Sequence, residues 1–397
     1  MTTPGLATTS DSPPAPLYTQ IGLFTATRTV VNTGFRMLYP FLPVFARGMG
    51  VDLQTAALIV TARSSVGLVS PLLGSTADVW GRRPAILAAL GAIVLAMLAV
   101  VARPIFPVVL AAMAVAAIAK AVLEPAMWAY LSDRVDYARR GLALALTELS
   151  WSSAYLIGMP LVGLAITANG WAGPFPWLAG LTLVGAVAVR VVMPAARAQT
   201  VSQRPPSFRE SARVVLTHRT ALLGMAMATL ITIANENVSI VFGQMMEDSF
   251  HLEVLGLGLA STLIGVAELA GEGAVVAFVD RIGKRRAVIL GVGLNLLVSL
   301  ALPALSRTLP GALTGLFLFY LTFEFSVVSV IPMMSELVPS ARATMMAGSA
   351  AAFSLGRALG SQIGPALYAH GLLASGVVGA ALDAAAIVLL VFFIEAE

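Results

Sequence analysis

Gly74-Ser-Thr-Ala77-Asp78-Val-Trp-Gly81-Arg82-Arg83 and Phe278-Val-Asp280-Arg281-Ile-Gly283-Lys284-Arg285-Arg286 follow one pattern. Each has an acid, a glycine three residues later, and then two basic residues. The copies stand 202 residues apart in a chain of 397, and Arg140 and Arg342 repeat at the same separation. A pattern that recurs at half the length of a chain, in two separate places, marks two like halves in the same order.

The sequence flanking both copies is apolar. The chain is 58% hydrophobic and 11% charged, with a mean hydropathy of +0.89. Soluble domains carry about 25% charged residues, so this composition cannot cover a water-facing surface. A bilayer-crossing helix needs roughly 20 mainly apolar residues. Twelve candidate spans follow: 20–46, 53–78, 84–102, 105–131, 141–168, 173–193, 220–247, 255–279, 286–304, 309–337, 341–369 and 372–394. Residues 1–19 read as a disordered cytoplasmic tail without a removable signal peptide. Residues 20–193 and 220–397 form the two six-helix bundles. The linker 194–219 joins them, and its stretch from Ser207 to His218 is expected as a short basic helix on the membrane surface.

Loop charge fixes the expected orientation. The loops after spans 2, 4, 6, 8 and 10 hold fifteen Arg and Lys residues, and the alternate loops hold only Arg47, Arg103 and Arg307. This positive-inside bias places both termini in the cytoplasm of a bacterial inner membrane. It also accounts for the basic pI, because no soluble face gathers those residues as a nucleic-acid binder would. With no cysteine and three scattered histidines (His218, His251, His370), thiol chemistry and a metal site are excluded. No HExxH, GxSxG or Walker A sequence points to an enzyme or to direct ATP drive. The expectation is a transporter without cofactors, working as a monomer on a small-molecule substrate.

The loop pattern resembles the signature between spans 2 and 3 of the major facilitator superfamily, with a second copy in the other half. Gly158-Met-Pro160-Leu-Val-Gly163 and Gly360-Ser-Gln-Ile-Gly364-Pro365 are similar to the Gly-Pro motif of its drug/proton antiporter branch. Span 4 departs from that branch, with Lys120 and Glu124 where an arginine and a glycine are usual. The resemblance implies an all-α integral membrane fold of twelve helices in two pseudo-symmetric bundles. It also implies alternating access with proton-coupled efflux of an amphiphilic or drug-like solute. Uptake of an anionic solute, or translocation of a lipid-like molecule, is the alternative that the basic first half favours. Within the signature, Gly74, Asp78, Gly81, Arg82, Asp280, Gly283 and Lys284 are the expected gating residues. The Asp78 carboxylate can bond a neighbouring helix N-terminus or an arginine. Such a contact holds the halves together on the cytoplasmic side and breaks as the cavity opens inward. For Arg83 and Arg286 the expected role is to face lipid phosphates and set topology.

Charges within the spans carry the chemistry, because one at the bilayer centre costs about 2.5–3.5 kcal/mol on insertion scales. In span 1, Arg28, Asn32, Arg36 and Tyr39 follow steps of four, four and three and share a face. With Arg63, Lys120 and Asn235 they are the substrate-cavity candidates. Arg28, Lys120, Glu124 and Glu148 lie at similar depth and can form one network, with Lys120 and Glu124 one turn apart. The second half is acidic. Glu236, within Asn235-Glu236-Asn237, and Glu324 have no cation in their own helices and lead the proton-coupling candidates. Glu268, Glu272 and Glu148 complete that group. Asp383 in span 12 is expected to pair structurally with Arg357 in span 11. Glu268 or Glu272 can equally take Arg357 as a partner. Intramembrane charge is +2 in the first half and −4 in the second. Either the cations bind an anionic group while the acids carry protons, or Arg36 or Arg63 bridges to Glu236 across the cavity.

Overall fold

Broken helices give this fold its character. The computed structural model describes residues 16–73, 80–135, 137–193 and 208–392, and every regular element among them is helical. Span 1 runs as Leu17–Arg36, turns through residues 37–41, and resumes as Leu42–Met49. Pro40 and Pro43 lack the N–H groups that a continuous helix would need, and Pro43 suits the first turn of the second piece. Span 5 passes from Tyr137–Ser153 through a π-helical turn, Ala154–Gly158, into Met159–Asn169. The wide turn lets Pro160 enter without a clash. Span 7 breaks between Arg219–Ser239 and Phe242–Phe250 with no proline at the break. There the reason is tertiary. Gly243 lies against the carbonyl of Pro40, so the two broken helices touch where each is interrupted, and any side chain at 243 would collide.

The remaining helices are Arg82–Ala102, Phe106–Arg134, Pro174–Val192, Val254–Ile282, Lys284–Leu305, Leu309–Glu336, Arg342–Tyr368 and Leu372–Phe392, for spans 3, 4, 6, 8, 9, 10, 11 and 12. Among the described residues, nine helices are long and apolar enough to cross a membrane. Predicted spans 1, 2 and 11 fall outside that set. Span 1 is divided and polar. Span 2 is Leu53–Ser65, a short 3₁₀ segment and Ser70–Leu73, before residues 74–79. Span 11 is 27 residues long but rich in glycine, alanine and serine, a composition that suits helix–helix contact. A short helix, Phe208–Thr217, lies in the linker where one was expected.

Burial separates inner from outer helices. In the most apolar stretch of span 7, 78% is buried, against 33% in spans 6 and 9. Exposed Leu181, Val184, Leu294 and Leu297 line those outer helices.

The repeated loop is also repeated in space. Gly81 has φ 87 and ψ 151, and Gly283 has φ 84 and ψ 142, a region that residues with a Cβ rarely enter. In each half the next residue ties the loop to the end of the fourth helix: Arg82 to Asp133 at 3.5 Å, and Lys284 to Glu336. The residue after that binds carbonyls at the end of the sixth helix. Arg83 donates to Arg190 O, and Arg285 donates to Leu390 O and Val391 O. Arg83 therefore closes a helix end of its own half, where lipid phosphates were expected. Gly74 and Asp78 lie outside the described residues. The ion pairs Arg82–Asp133 and Lys284–Glu336 each lie within one half, and Asp280 is exposed.

Candidate functional site

One face of span 1 gathers the site. Arg28, Asn32 and Arg36 recur at helical spacing, and the turn after residue 36 brings Tyr39 onto the same side. Together they reach spans 4, 5, 7 and 8. Arg28, 1% exposed, donates to Glu148 Oε1 at 2.7 Å and to Glu124 Oε1 at 3.3 Å. Asn32 donates to Ser150 Oγ at 3.1 Å. Arg36 crosses to the other half and meets Glu268 Oε1 of span 8 at 2.5 Å. Tyr39 also crosses, donating to Glu236 Oε2 of span 7 at 3.3 Å.

The network expected around Arg28 is present. Lys120 lies 3.5 Å from Glu124, and Trp128 Nε1 donates to Glu148 Oε1 at 3.1 Å. Aromatic faces cover the cations. Lys120 Nζ is 3.8 Å from the Trp151 ring centre, and Arg36 is 4.3 Å from Tyr155 and 4.9 Å from Trp151. Such stacking favours a desolvated cation. Sequence reasoning missed these aromatics. Their spacing signalled them, because Trp128 follows Glu124 by one turn while Trp151 and Tyr155 follow Glu148 by one and two turns.

The expected bridge from Arg36 or Arg63 to Glu236 is not made. Arg36 takes Glu268, while Arg63 donates to the carbonyl of Phe35 and lies over Tyr39 at 5.1 Å. Tyr39 meets Glu236 in their place. The Arg357–Asp383 pair is absent as well. Gly356 and Gly360 press span 11 against Thr232 and Glu236 of span 7. That contact leaves Arg357 exposed on the side where Ser361 meets Thr61 of the first half. Asp383 is 1% exposed, and neither of its oxygens has a hydrogen-bond partner among the described residues. Nor does Arg357 pair with Glu268, which is held by Arg36.

Three carboxylates meet where spans 8 and 10 touch. The Cβ of Glu324 packs on Gly271, and Glu268 and Glu272 flank that glycine in sequence. Of the three, Glu268 has the ion pair. Close by, Tyr320 donates to Ser239 Oγ at 2.9 Å, and Ser239 donates to Asn235 Oδ1 at 3.2 Å. Glu236 Oε1 and Asn235 Nδ2 are buried, adjacent and without partners among the described residues. They leave one acceptor and one donor free on neighbouring residues of span 7.

Among the described residues, the hydrogen-bonded crossings between halves run from this layer to the end opposite the basic loops, while on the other side Gly67 packs against Ser354. Thr61 meets Ser361 at 2.8 Å, Gln54 donates to Gln362 O at 2.9 Å, and Arg47 grips Glu247 with bonds of 2.6 and 2.9 Å. Glu148, with 40% side-chain exposure, and Arg357 remain reachable below that closure.

Two like bundles of apolar helices that meet at a buried layer of opposite charges define a membrane transport protein, not an enzyme. A family model described as Major Facilitator Superfamily matches residues 25–233 and 224–397, and the chain belongs to that family. It is 29% identical over 362 residues to a chloramphenicol resistance protein of Streptomyces lividans, covering 90% of each chain. It is 26% identical to the uncharacterized MFS-type transporter YwfA of Bacillus subtilis (strain 168), covering 90% of this chain and 87% of that one. Among solved structures, a bacterial homolog of the human lysosomal transporter Spinster, in an inward-facing and unoccupied conformation, is similar with a TM-score of 0.72. That match has 13% identity and covers 94% of this chain and 95% of the other. The human organic anion transporter MFSD10 (TETRAN) gives a TM-score of 0.68 at 19% identity, covering 94% and 99%. These two likenesses concern the fold.

Proposed function

We propose that this chain is a proton-coupled exporter of small amphiphilic or drug-like solutes, working by alternating access in a bacterial inner membrane with both termini in the cytoplasm. In this reading the divided span 1, the interrupted span 2 and the polar span 11 complete twelve crossings. The observation that carries the proposal is the Arg36–Glu268 ion pair between halves, set among three carboxylates. Three like charges at one place repel, so a proton on Glu324 or Glu272 is favoured while Glu268 stays paired. Transfer of that proton to Glu268 releases Arg36 and with it one link between the halves. Glu236 Oε1 offers an acceptor and Asn235 Nδ2 a donor to polar groups of the substrate, and the aromatics around Lys120 and Arg36 accept its apolar part.

The relative from Streptomyces lividans makes chloramphenicol the first probe. In proteoliposomes with an imposed pH gradient, the wild-type chain accumulates it and the accumulation collapses with the gradient. Glu324→Gln abolishes gradient-driven accumulation but keeps exchange, whereas Glu236→Gln, at the substrate contact, weakens both. Normal accumulation in both variants sinks the site assignment, and transport indifferent to the gradient sinks proton coupling. A second reading, transport of an anionic solute, rests on Arg357 and Lys120, which face the same layer without a carboxylate each to themselves. Competition by organic anions but not by chloramphenicol selects it.

A further inference from the structure

Arg63 stands among the substrate-cavity candidates, yet its guanidinium is already engaged. The residue is 9% exposed. Its Nη1 donates to the Phe35 carbonyl, and the guanidinium lies 5.5 Å from the Phe35 ring centre and 5.1 Å from that of Tyr39.

The carbonyl it takes is one that the break in span 1 sets free. In a continuous helix the Tyr39 N–H would bond Phe35 O. Here it bonds Arg36 O at 3.1 Å, and Pro40 beyond it has no N–H to offer. An unpaired carbonyl at membrane depth is costly, and Arg63 supplies the missing donor. One side chain thus holds a backbone group before the break and an aromatic ring inside it.

The second half makes the same break without this device. Val241 N–H bonds Val238 O at 3.3 Å, the same turn 202 residues later. Asp52 and Glu253 stand 201 residues apart, and Asp78 and Asp280 stand 202 apart, so Arg63 corresponds to Ile264 or Gly265. Ile264 is buried in the apolar core, and Gly265 packs on the Ser152 carbonyl of span 5. The turn therefore forms without a guanidinium, and what Arg63 adds is its hold on Tyr39. A guanidinium over an aromatic face holds that ring in place. Tyr39 donates to Glu236 Oε2 at 3.3 Å, while Glu236 Oε1 has no partner among the described residues.

We infer that, given the substrate contact proposed above for Glu236, Arg63 is a positioning residue for substrate binding. It holds Tyr39 so that the hydroxyl takes Glu236 Oε2 and leaves Oε1 to the solute. Arg63 itself does not touch the solute.

The test is a double-mutant cycle between Arg63 and Tyr39, read in chloramphenicol exchange by proteoliposomes without a gradient. Arg63→Gln is expected to raise KM about fivefold, the scale of one hydrogen bond, with the maximal rate unchanged. Tyr39→Phe raises KM by the same factor, and the double variant raises it no further. Arg63→Lys keeps a donor for Phe35 but not the planar stack, so it raises KM less, and only while Tyr39 is present. An unchanged KM in Arg63→Gln, effects that multiply in the double variant, or a fall in maximal rate alone overturns the inference. The same cycle in melting temperature needs no solute. If wild type does not exchange chloramphenicol, the functional reading falls and the melting cycle decides whether Arg63 acts on Tyr39. A double variant that melts lower than Arg63→Gln alone overturns that link, and equal melting upholds it. If Arg63→Gln does not fold, Arg63→Lys goes through both cycles and is judged by the same outcomes.

Discussion

Apart from Arg36, the first half keeps its buried charges among its own helices, whereas the second half lends its charges out or leaves them alone. Arg28, Lys120, Glu124 and Glu148 form one set on spans 1, 4 and 5, with Trp128 bonded to Glu148. In the second half, Glu268 and Glu236 find their partners on span 1 of the first, and Glu324 rests against Gly271. Two copies of one ancestral plan have thus divided the work. One is a neutralised frame, and the other is a set of acids whose partners lie across a moving interface.

The largest effect should come from breaking the frame. Replacing Arg28 by methionine leaves Glu124 and Glu148 without their shared cation. Removing one partner of a buried ion pair costs about 3–5 kcal/mol, so this variant should show the deepest fall in melting temperature. Glu236→Gln, measured alongside, should fall much less, because the hydroxyl of Tyr39 can still donate to an amide oxygen. Equal falls would erase the contrast between the halves.

Next is the link between them. Glu268→Gln keeps the shape and removes the charge that holds Arg36. The fold should survive, since Arg36 retains its stack on Tyr155 and Trp151. Gradient-driven accumulation of substrate should drop about tenfold, the scale of a coupling free energy between sites. Wild-type accumulation in this variant would return Glu268 to a purely structural role.

A smaller effect is expected at Tyr39. Its bond to Glu236 is long, 3.3 Å, and a typical hydrogen bond contributes about 1 kcal/mol net. Tyr39→Phe should therefore change the apparent substrate affinity by less than about tenfold without altering coupling. Loss of coupling would make this contact, and not Arg36–Glu268, the link that matters.

Depth in the membrane was legible from the sequence, but rotation about a helix axis was not. Counting residues from the basic loops put Arg28, Lys120, Glu124 and Glu148 at one level, and they meet there. The same counting put Arg357 level with Asp383 and failed, because Gly356 and Gly360 turn that face of span 11 onto span 7. The face of span 1 could be read because its cost in lipid left no other place for it. The break in span 7 could not, since its cause is the approach of Pro40 from the other half. Fold was legible in the doubled loop, where only a glycine conformation satisfies both copies.

The smallest effect separates the halves at their outer ends. Asp52 and Glu253 stand at matching places before spans 2 and 8, with nearly the same backbone angles, φ −76 and ψ 168 against φ −72 and ψ 168. Asp52 accepts the Thr55 N–H at 2.6 Å, whereas Glu253 makes no side-chain cap. The shorter side chain reaches the first free donors of its helix, as N-cap residues do. That bond holds the Asp52 carboxyl below the usual carboxylate range. A carboxyl pKa lowered by folding adds stability above its unfolded value, and the gain is lost as pH falls through the folded value. At neutral pH, Asp52→Ala should melt slightly lower, Asp52→Asn should keep most of the loss at bay, and Glu253→Ala should match wild type. The Asp52→Ala deficit should shrink as acid protonates the wild-type carboxyl. If both alanine variants melt alike at every pH, the cap is not what distinguishes these ends, and the contrast between the halves is confined to the buried layer.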